Sequence, residues 1–197
     1  MTKDELEASL DFKIDTQTIL VTYHPVTLGG DPAKDIREFL DALDQFKDLK
    51  VIFTMPNSDT GRDAIALAVE NYVEKHSNSA KAYTSLGLKR YLSTLQFVKA
   101  AVGNSSSGII EVPSFGIPTL NIGDRQKGRL ASKSVVNCGT SKDEVIVGLK
   151  LCLSEEMQKA AKTYENPYAK PDTANLIYQE LKNVELAGLN LKTFYDL

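Results

Sequence analysis

Apolar residues along the chain fall into two alternating patterns. Short runs of contiguous apolar and β-branched residues occur at 18–23, 51–55, 80–83, 100–102, 118–122 and 134–137, and they read as buried strands. Between them the apolar positions recur every three or four residues, which is the spacing of a helix face. Ile36, Phe39, Leu40, Leu43 and Phe46 form one such face, and Ile65, Ala68, Val69, Tyr72 and Val73 a second. Leu88, Tyr91, Leu92 and Leu95 form a third, and Val145, Ile146, Leu149 and Cys152 a fourth, on a helix over 141–153.

Boundary residues agree with this division. Thr2 and Glu5 make a capping box ahead of a short helix bearing Leu6 and Leu10. Asp31-Pro32 opens a helix with an N-cap acid and a first-turn proline, so Asp31 and Asp35 read as cap and first-turn acid. Thr60 with Asp63 is expected to cap the next helix, and Ser85 the one after. His24-Pro25 and Pro56-Asn57 stop two strands. Beyond residue 153 the pattern is helical, over 155–163 and then over 173–181 after Pro171. Residues 189–197 form a tail with no clear element.

Strands alternating with helices predict an α/β fold, a Rossmann-like three-layer domain with a parallel sheet of about six strands. Such sheets bind ligands beyond the carboxyl ends of their strands, near the reversal of strand order. That rim would carry His24, Asn57, Ser85, residues 104–107 and residues 124–129.

Composition narrows the chemistry. With 197 residues and 42% apolar content, the chain can bury one sizeable core. A net charge of -3 with no basic block argues against nucleic acid as a partner. No apolar run reaches the length of a membrane span, and no signal peptide is read at the start. Cys138 and Cys152 form no CxxC pair, which fits a reduced, cytoplasmic protein with two ordinary thiols. His24 and His76 are too few for a His-rich metal site, and neither metal nor cofactor is expected. His76, at the end of a polar helix, reads as a surface residue.

Residues 104–129 carry the chemistry. The run Asn104-Ser105-Ser106-Ser107-Gly108 follows a strand and opens a short helix, the order of parts that binds phosphate through free backbone N–H groups and hydroxyls. Gly108 would leave the first turn uncrowded. Glu111 follows Ser106 by five residues, roughly 7–8 Å along a helix axis, which suits a ribose beside the phosphate. A carboxylate there can accept from two vicinal hydroxyls. Arg125 and Arg129 can meet the opposite face of a diphosphate through planar donor forks. Taken singly, these residues are a turn with an N-cap, a solvated helix acid and a surface loop. Their succession after one strand is what favours a nucleotide site. His24 either bonds a phosphate or sugar hydroxyl, serving as acid or base near neutral pH, or caps its strand; the residues alone do not choose. There is no GxGxxG or GxxxxGK[ST] run.

The segments Tyr23-His24-Pro25-Val26-Thr27 and Met55-Pro56-Asn57, with 103–129 ending in Gly123-Asp124-Arg125-Gln126-Lys127-Gly128-Arg129, resemble the C-terminal half of UDP-N-acetylglucosamine 2-epimerases. The likeness extends over nearly the whole chain to the closing Phe194-Tyr195-Asp196-Leu197. It is closest to the hydrolysing branch that feeds sialic acid and related syntheses. The non-hydrolysing branch typically has Asp-Ser-Gly-Gly and Gln-Glu-Glu where this chain has Asn104-Ser105-Ser106-Ser107-Gly108 and Ile110-Glu111-Val112.

The resemblance implies the C-terminal half of a GT-B arrangement, two Rossmann-like domains with the active site between them. It implies that Ser105, Ser106 and Arg125 hold the diphosphate and Glu111 the ribose. Ser85 would lie by the uracil, Asn57 would line the nucleotide pocket, and His24 would reach the diphosphate and leaving group. The implied reaction converts UDP-N-acetylglucosamine and water to N-acetylmannosamine and UDP. The carboxylates that move the C2 proton would belong to an N-terminal domain outside this chain. A linker helix at 1–17, a UDP-binding body at 18–172 and a crossing helix and tail at 173–197 are then expected. The fragment alone would be inactive and the full-length enzyme a homo-oligomer. Two alternatives share the pattern: a donor-binding domain of a GT-B glycosyltransferase, and a stand-alone nucleotide-sugar-binding module.

Overall fold

The computed structural model describes residues 1–26 and 30–188. Thr27 of the first resembling segment and the tail at 189–197 lie outside the described residues. The strands are β1 (Thr18–Thr22), β2 (Lys50–Thr54), β3 (Ala80–Tyr83), β4 (Ala100–Gly103), β5 (Thr119–Ile122) and β6 (Val135–Cys138). They form one six-stranded sheet in the order β3-β2-β1-β4-β5-β6, and every pairing is parallel. The order reverses between β1 and β4, where β1 meets β2 on one side and β4 on the other. This is the place where an open α/β sheet leaves a crevice.

Two faces of this sheet are covered. The helices are α1 (Lys3–Leu10), α2 (Pro32–Leu43), α3 (Arg62–Lys75), α4 (Gly87–Leu95), α5 (Ser107–Ile110), α6 (Lys142–Cys152), α7 (Glu155–Ala161) and α8 (Thr173–Asn183), with a 3-10 turn at Val112–Phe115. Side chains alternate along a strand, so β1 sends Ile19 and Val21 one way and Leu20 the other. Ile19, Val21, Val51 and Phe53 pack with Ile36 and Phe39 of α2, Ile65 of α3 and Val145 of α6. Leu20, Ile52 and Ala101 pack with Leu6 and Leu10 of α1 and Leu95 of α4. Both clusters are nearly solvent-free, which is why the strands read as unbroken apolar runs. Each fully buried Leu, Ile or Phe contributes roughly 1.5–3 kcal/mol of transfer free energy.

Several local expectations hold in detail. Thr2 and Glu5 form the reciprocal capping box of α1, and Asp31 accepts from Ala33 N and Lys34 N ahead of Pro32. Others need correction. Gly61, with φ +91°, precedes α3 where Thr60 and Asp63 were expected to cap it. Ser85 does not cap α4; its Oγ accepts from Gly87 N at 3.1 Å and closes a turn one residue earlier. Leu88 is 74% exposed, because it lines the cavity shared with Thr22 and His24 and does not enter the core. His76 is not merely a surface residue: its ring stacks on Tyr72 at 4.3 Å, and Nε2 lies 2.9 Å from Asp44 Oδ1. No described helix is long and apolar enough to cross a membrane.

The last helix stands apart from this packing. No residue of α8 is buried, and Leu176, Ile177, Tyr178 and Leu181 are all more than half exposed.

Candidate functional site

The site starts from a close approach of two backbones. Thr22 and Gly103 are paired at the ends of β1 and β4. Gly103 has φ +132°, and a Cβ there would collide with the Thr22 carbonyl. Only glycine lets the strands run this close to their last residue. The next residue, Asn104, is 1% exposed and turns its side chain back across the seam. Its Oδ1 accepts from His24 N at 2.7 Å, and its Nδ2 donates to His24 O at 2.8 Å. Its own carbonyl accepts from Gln126 Nε2 at 2.8 Å and Arg125 Nη1 at 3.2 Å. One buried residue thereby joins the turns after β1, β4 and β5.

The serines that follow are held by contacts of their own. Ser105 Oγ accepts from Ser107 N at 3.4 Å, and Ser107 Oγ shares a 2.6 Å hydrogen bond with Tyr91 of α4. The helix that follows, α5, is a single turn, and Glu111 is its C-cap. The expected Ser106-to-Glu111 spacing is therefore carried by one helical turn and not by a longer helix. Gly108 serves packing against the sheet. A Cβ there would meet Thr119 Cγ2 at 2.7 Å, and Thr119 Oγ1 donates to the Gly108 carbonyl at 2.6 Å.

The neutral ring of His24 is held in one tautomer. Its Nδ1 accepts from Asn57 N at 3.2 Å, so the neutral ring carries its proton on Nε2. Burial lowers its pKa from the ordinary imidazole value, and the Arg125 cation lowers it further. Near neutral pH His24 is thus an uncharged donor beside a permanent cation. Asn57 turns its own amide to Asp59, at 2.6 Å, so its contribution at His24 is its backbone N–H.

A cavity of about 360 Å³ opens over this arrangement, lined by Thr22, His24, Ser85, Tyr91, Ser105 and Ser107. A volume of a few hundred Å³ suits a nucleoside-sized ligand. His24, Ser85 and Ser105 line it directly, Arg125 is not among its lining residues but bonds the Asn104 carbonyl next to Ser105, and Glu111 is exposed at the end of the serine turn. Ser106 uses its carbonyl to start α5, accepting from Ile109 N and Ile110 N. Arg129 is placed elsewhere. With Lys127 it lines a second cavity, of about 500 Å³, on the β5–β6 side.

Sequence reasoning put Asn104 and Gln126 on the binding rim without giving either its own role, and read Tyr91 as a core-facing helix residue. Only Asn104 gave a signal, as a small amide directly after a strand-ending glycine. The arrangement can hold an anion with a neutral N–H, a guanidinium, hydroxyls and backbone N–H groups, a donor set that stabilises negative charge developing on a departing group.

Comparison with known proteins bears on the family and the fold. The family described as UDP-N-acetylglucosamine 2-epimerase matches residues 1–182. The GDP/UDP-N,N'-diacetylbacillosamine 2-epimerase (hydrolyzing) of Campylobacter jejuni is 39% identical over 200 aligned positions, covering 100% of this chain and 51% of that protein. The polysialic acid biosynthesis protein P7 of Escherichia coli is 33% identical, over 90% of this chain and 46% of its own length. The chain thus spans about half the length of these curated relatives. Among solved structures, the UDP-GlcNAc 2-epimerase from Neisseria meningitidis bound to UDP-GlcNAc superimposes with a TM-score of 0.73 at 18% identity, over 91% of this chain and 48% of that one. That match supports the fold, and the family match over residues 1–182 goes further: the chain belongs to the UDP-N-acetylglucosamine 2-epimerase family.

Proposed function

We propose that this chain is the UDP-binding, C-terminal domain of a hydrolysing 2-epimerase acting on a UDP-linked 2-acetamido sugar, with UDP-N-acetylglucosamine as the reference substrate. The observation that carries this is the convergence on Asn104, which brings neutral His24, cationic Arg125 and the serine turn to one crevice at the strand-order reversal. The 39% identity to a hydrolysing epimerase along the whole chain favours that branch.

In this reading Ser105, Ser106 and Arg125 hold the diphosphate, Glu111 the ribose hydroxyls, and Ser85 and Asn57 border the base and nucleotide. His24 offers its Nε2–H to the leaving oxygen. The C1–O bond breaks as the C2 proton is removed, giving a C1=C2 double bond and UDP. Water then adds hydroxyl to C1 and hydrogen to C2 on the opposite face, giving N-acetylmannosamine from the reference substrate. The residues of this chain stabilise the departing charge, and the C2 proton is moved by groups outside it.

The division of labour extends to the chain's layout: a linker helix at 1–17, a UDP-binding body at 18–172 and a docking segment at 173–197. The bare apolar face of α8 would pack on a further domain, which fits a chain spanning about half the length of its relatives. Calorimetry with UDP tests the nucleotide reading. Saturable binding, weakened about tenfold or more in Glu111→Ala and in Arg125→Ala, is expected. An affinity left unchanged by both substitutions would sink these assignments. The 197-residue chain is expected to release no N-acetylmannosamine from UDP-N-acetylglucosamine; turnover by the chain alone would place the proton chemistry within it.

A further inference from the structure

Between α7 and α8 the chain crosses the outer side of the site, and its contacts there are with the two segments that carry Glu111 and Arg125. Asn166 Nδ2 donates to the Ile110 carbonyl at 2.8 Å and to Ser114 Oγ at 2.7 Å. Tyr168 donates its hydroxyl to the Leu130 carbonyl at 3.0 Å, directly after Arg129. The Tyr164 ring lies against Gly116, and Lys133 pairs with Glu165 at 3.4 Å.

The Ile110 contact has a specific cause. In a continuing helix the Ile110 carbonyl would accept from Ser114 N. Here Ser114 N bonds Glu111 O at 3.0 Å, in the tighter 3-10 pattern, and Pro113 has no N–H to offer. The Ile110 carbonyl is therefore left without a helical donor, and Asn166, 56 positions away, supplies one. The Asn166 side chain is itself oriented, because its Oδ1 accepts from Tyr168 N at 2.9 Å. Asn166 thus grips the chain on both sides of Glu111, at the carbonyl before it and the hydroxyl three residues after it.

We infer that Asn166 is a positioning residue for ribose recognition, fixing the turn that aims the Glu111 carboxylate at the ribose hydroxyls. The inference rests on the nucleotide reading above. It assigns the segment after α7 a role in the site, although none of its residues lines the nucleotide cavity.

The test uses the 197-residue chain with UDP and 2′,3′-dideoxy-UDP, the analogue without ribose hydroxyls, titrated by calorimetry. The wild type should prefer UDP by about tenfold or more, the value of one or two hydrogen bonds to a charged acceptor. Asn166→Asp keeps the shape and the Tyr168 contact but removes the donor to Ile110. In it, and in Asn166→Ala, the preference should fall towards that of Glu111→Ala, while dideoxy-UDP affinity changes less than about twofold. A merely structural role would weaken both nucleotides equally; that result, or an unchanged preference, overturns the proposal. A wild type that binds both equally overturns it together with the Glu111 assignment. If neither nucleotide binds, the nucleotide reading itself falls, and amide exchange decides the positioning. Faster exchange at Glu111 and Ser114 in Asn166→Asp, with Leu120 of β5 unchanged, upholds the grip on the turn. Unchanged exchange there removes it.

Discussion

The two flanks of the β4 carboxyl end hold their polar groups in contrasting ways. On the β1 side the Asn104 amide and carbonyl are fully engaged, by His24, Arg125 and Gln126. On the β5–β6 side two buried amide oxygens, Asn121 Oδ1 and Gln126 Oε1, have no hydrogen-bond partner among the described residues. The cations differ likewise. Arg125 is half-buried and bonded to the seam, whereas Arg129 is exposed and Lys127 pairs with Asp124 at 3.1 Å in solvent. Three cations close together in sequence are therefore not equivalent. Donors already held in place can meet a phosphate at little further ordering cost, while solvated ones must first lose side-chain freedom.

Asn104→Ala should have the largest effect of the changes that break this contrast. It leaves the His24 N–H and carbonyl without their partner and should cost about 2–4 kcal/mol in denaturant unfolding, with UDP binding lost. A cost under about 1 kcal/mol would mean that the seam is held by something else. Next is the arginine pair. Arg125→Ala should weaken UDP binding about 10- to 100-fold, the range for hydrogen bonds to a charged group, and Arg129→Ala by less than about twofold. Equal losses in calorimetry would erase the distinction between the flanks.

The His24 titration sharpens the contrast further. Its pKa in the free chain should lie below the ordinary 6.5, for burial and Arg125 both oppose protonation. A diphosphate beside it favours the charged ring, so UDP should raise the pKa, and binding should take up a proton at pH values between the free and bound pKa. Imidazole NMR shifts with and without UDP measure this; a pKa that does not move on binding would remove His24 from the diphosphate. The smallest effect belongs to α8. Leu181→Gln, at a side chain 69% exposed, should change the stability of this chain by less than about 0.5 kcal/mol in urea titration. A larger loss would show that α8 finds apolar cover within the chain itself.

Much of the fold was legible because its signals are local. Thr2 with Glu5 and Asp31 with Pro32 each specify a helix start within four residues, and β3 falls on the predicted residues 80–83. The misreadings arose where geometry at the rim overrode local pattern. Leu88 has helical spacing, but it lines the cavity at the rim; Thr60 is a good cap, but the positive φ of Gly61 already sets the start of α3. The order of residues 104–129 singled out the serines and both arginines as candidates, yet it could not tell half-buried Arg125 from exposed Arg129.

By itself, then, the sequence determined the alternating strands and helices, the parallel sheet, the rim on which the polar turns sit and the family to which the chain belongs. Periodicity, caps and a long motif are written in neighbouring residues, and that is enough for these. Tertiary structure decided which polar groups work together. Asn104 reaches His24 across 80 positions, Tyr91 reaches Ser107 across 16, and Asn166 reaches Ile110 across 56. Hydrogen bonds act over about 3 Å, and only the folded sheet brings such distant residues within that range.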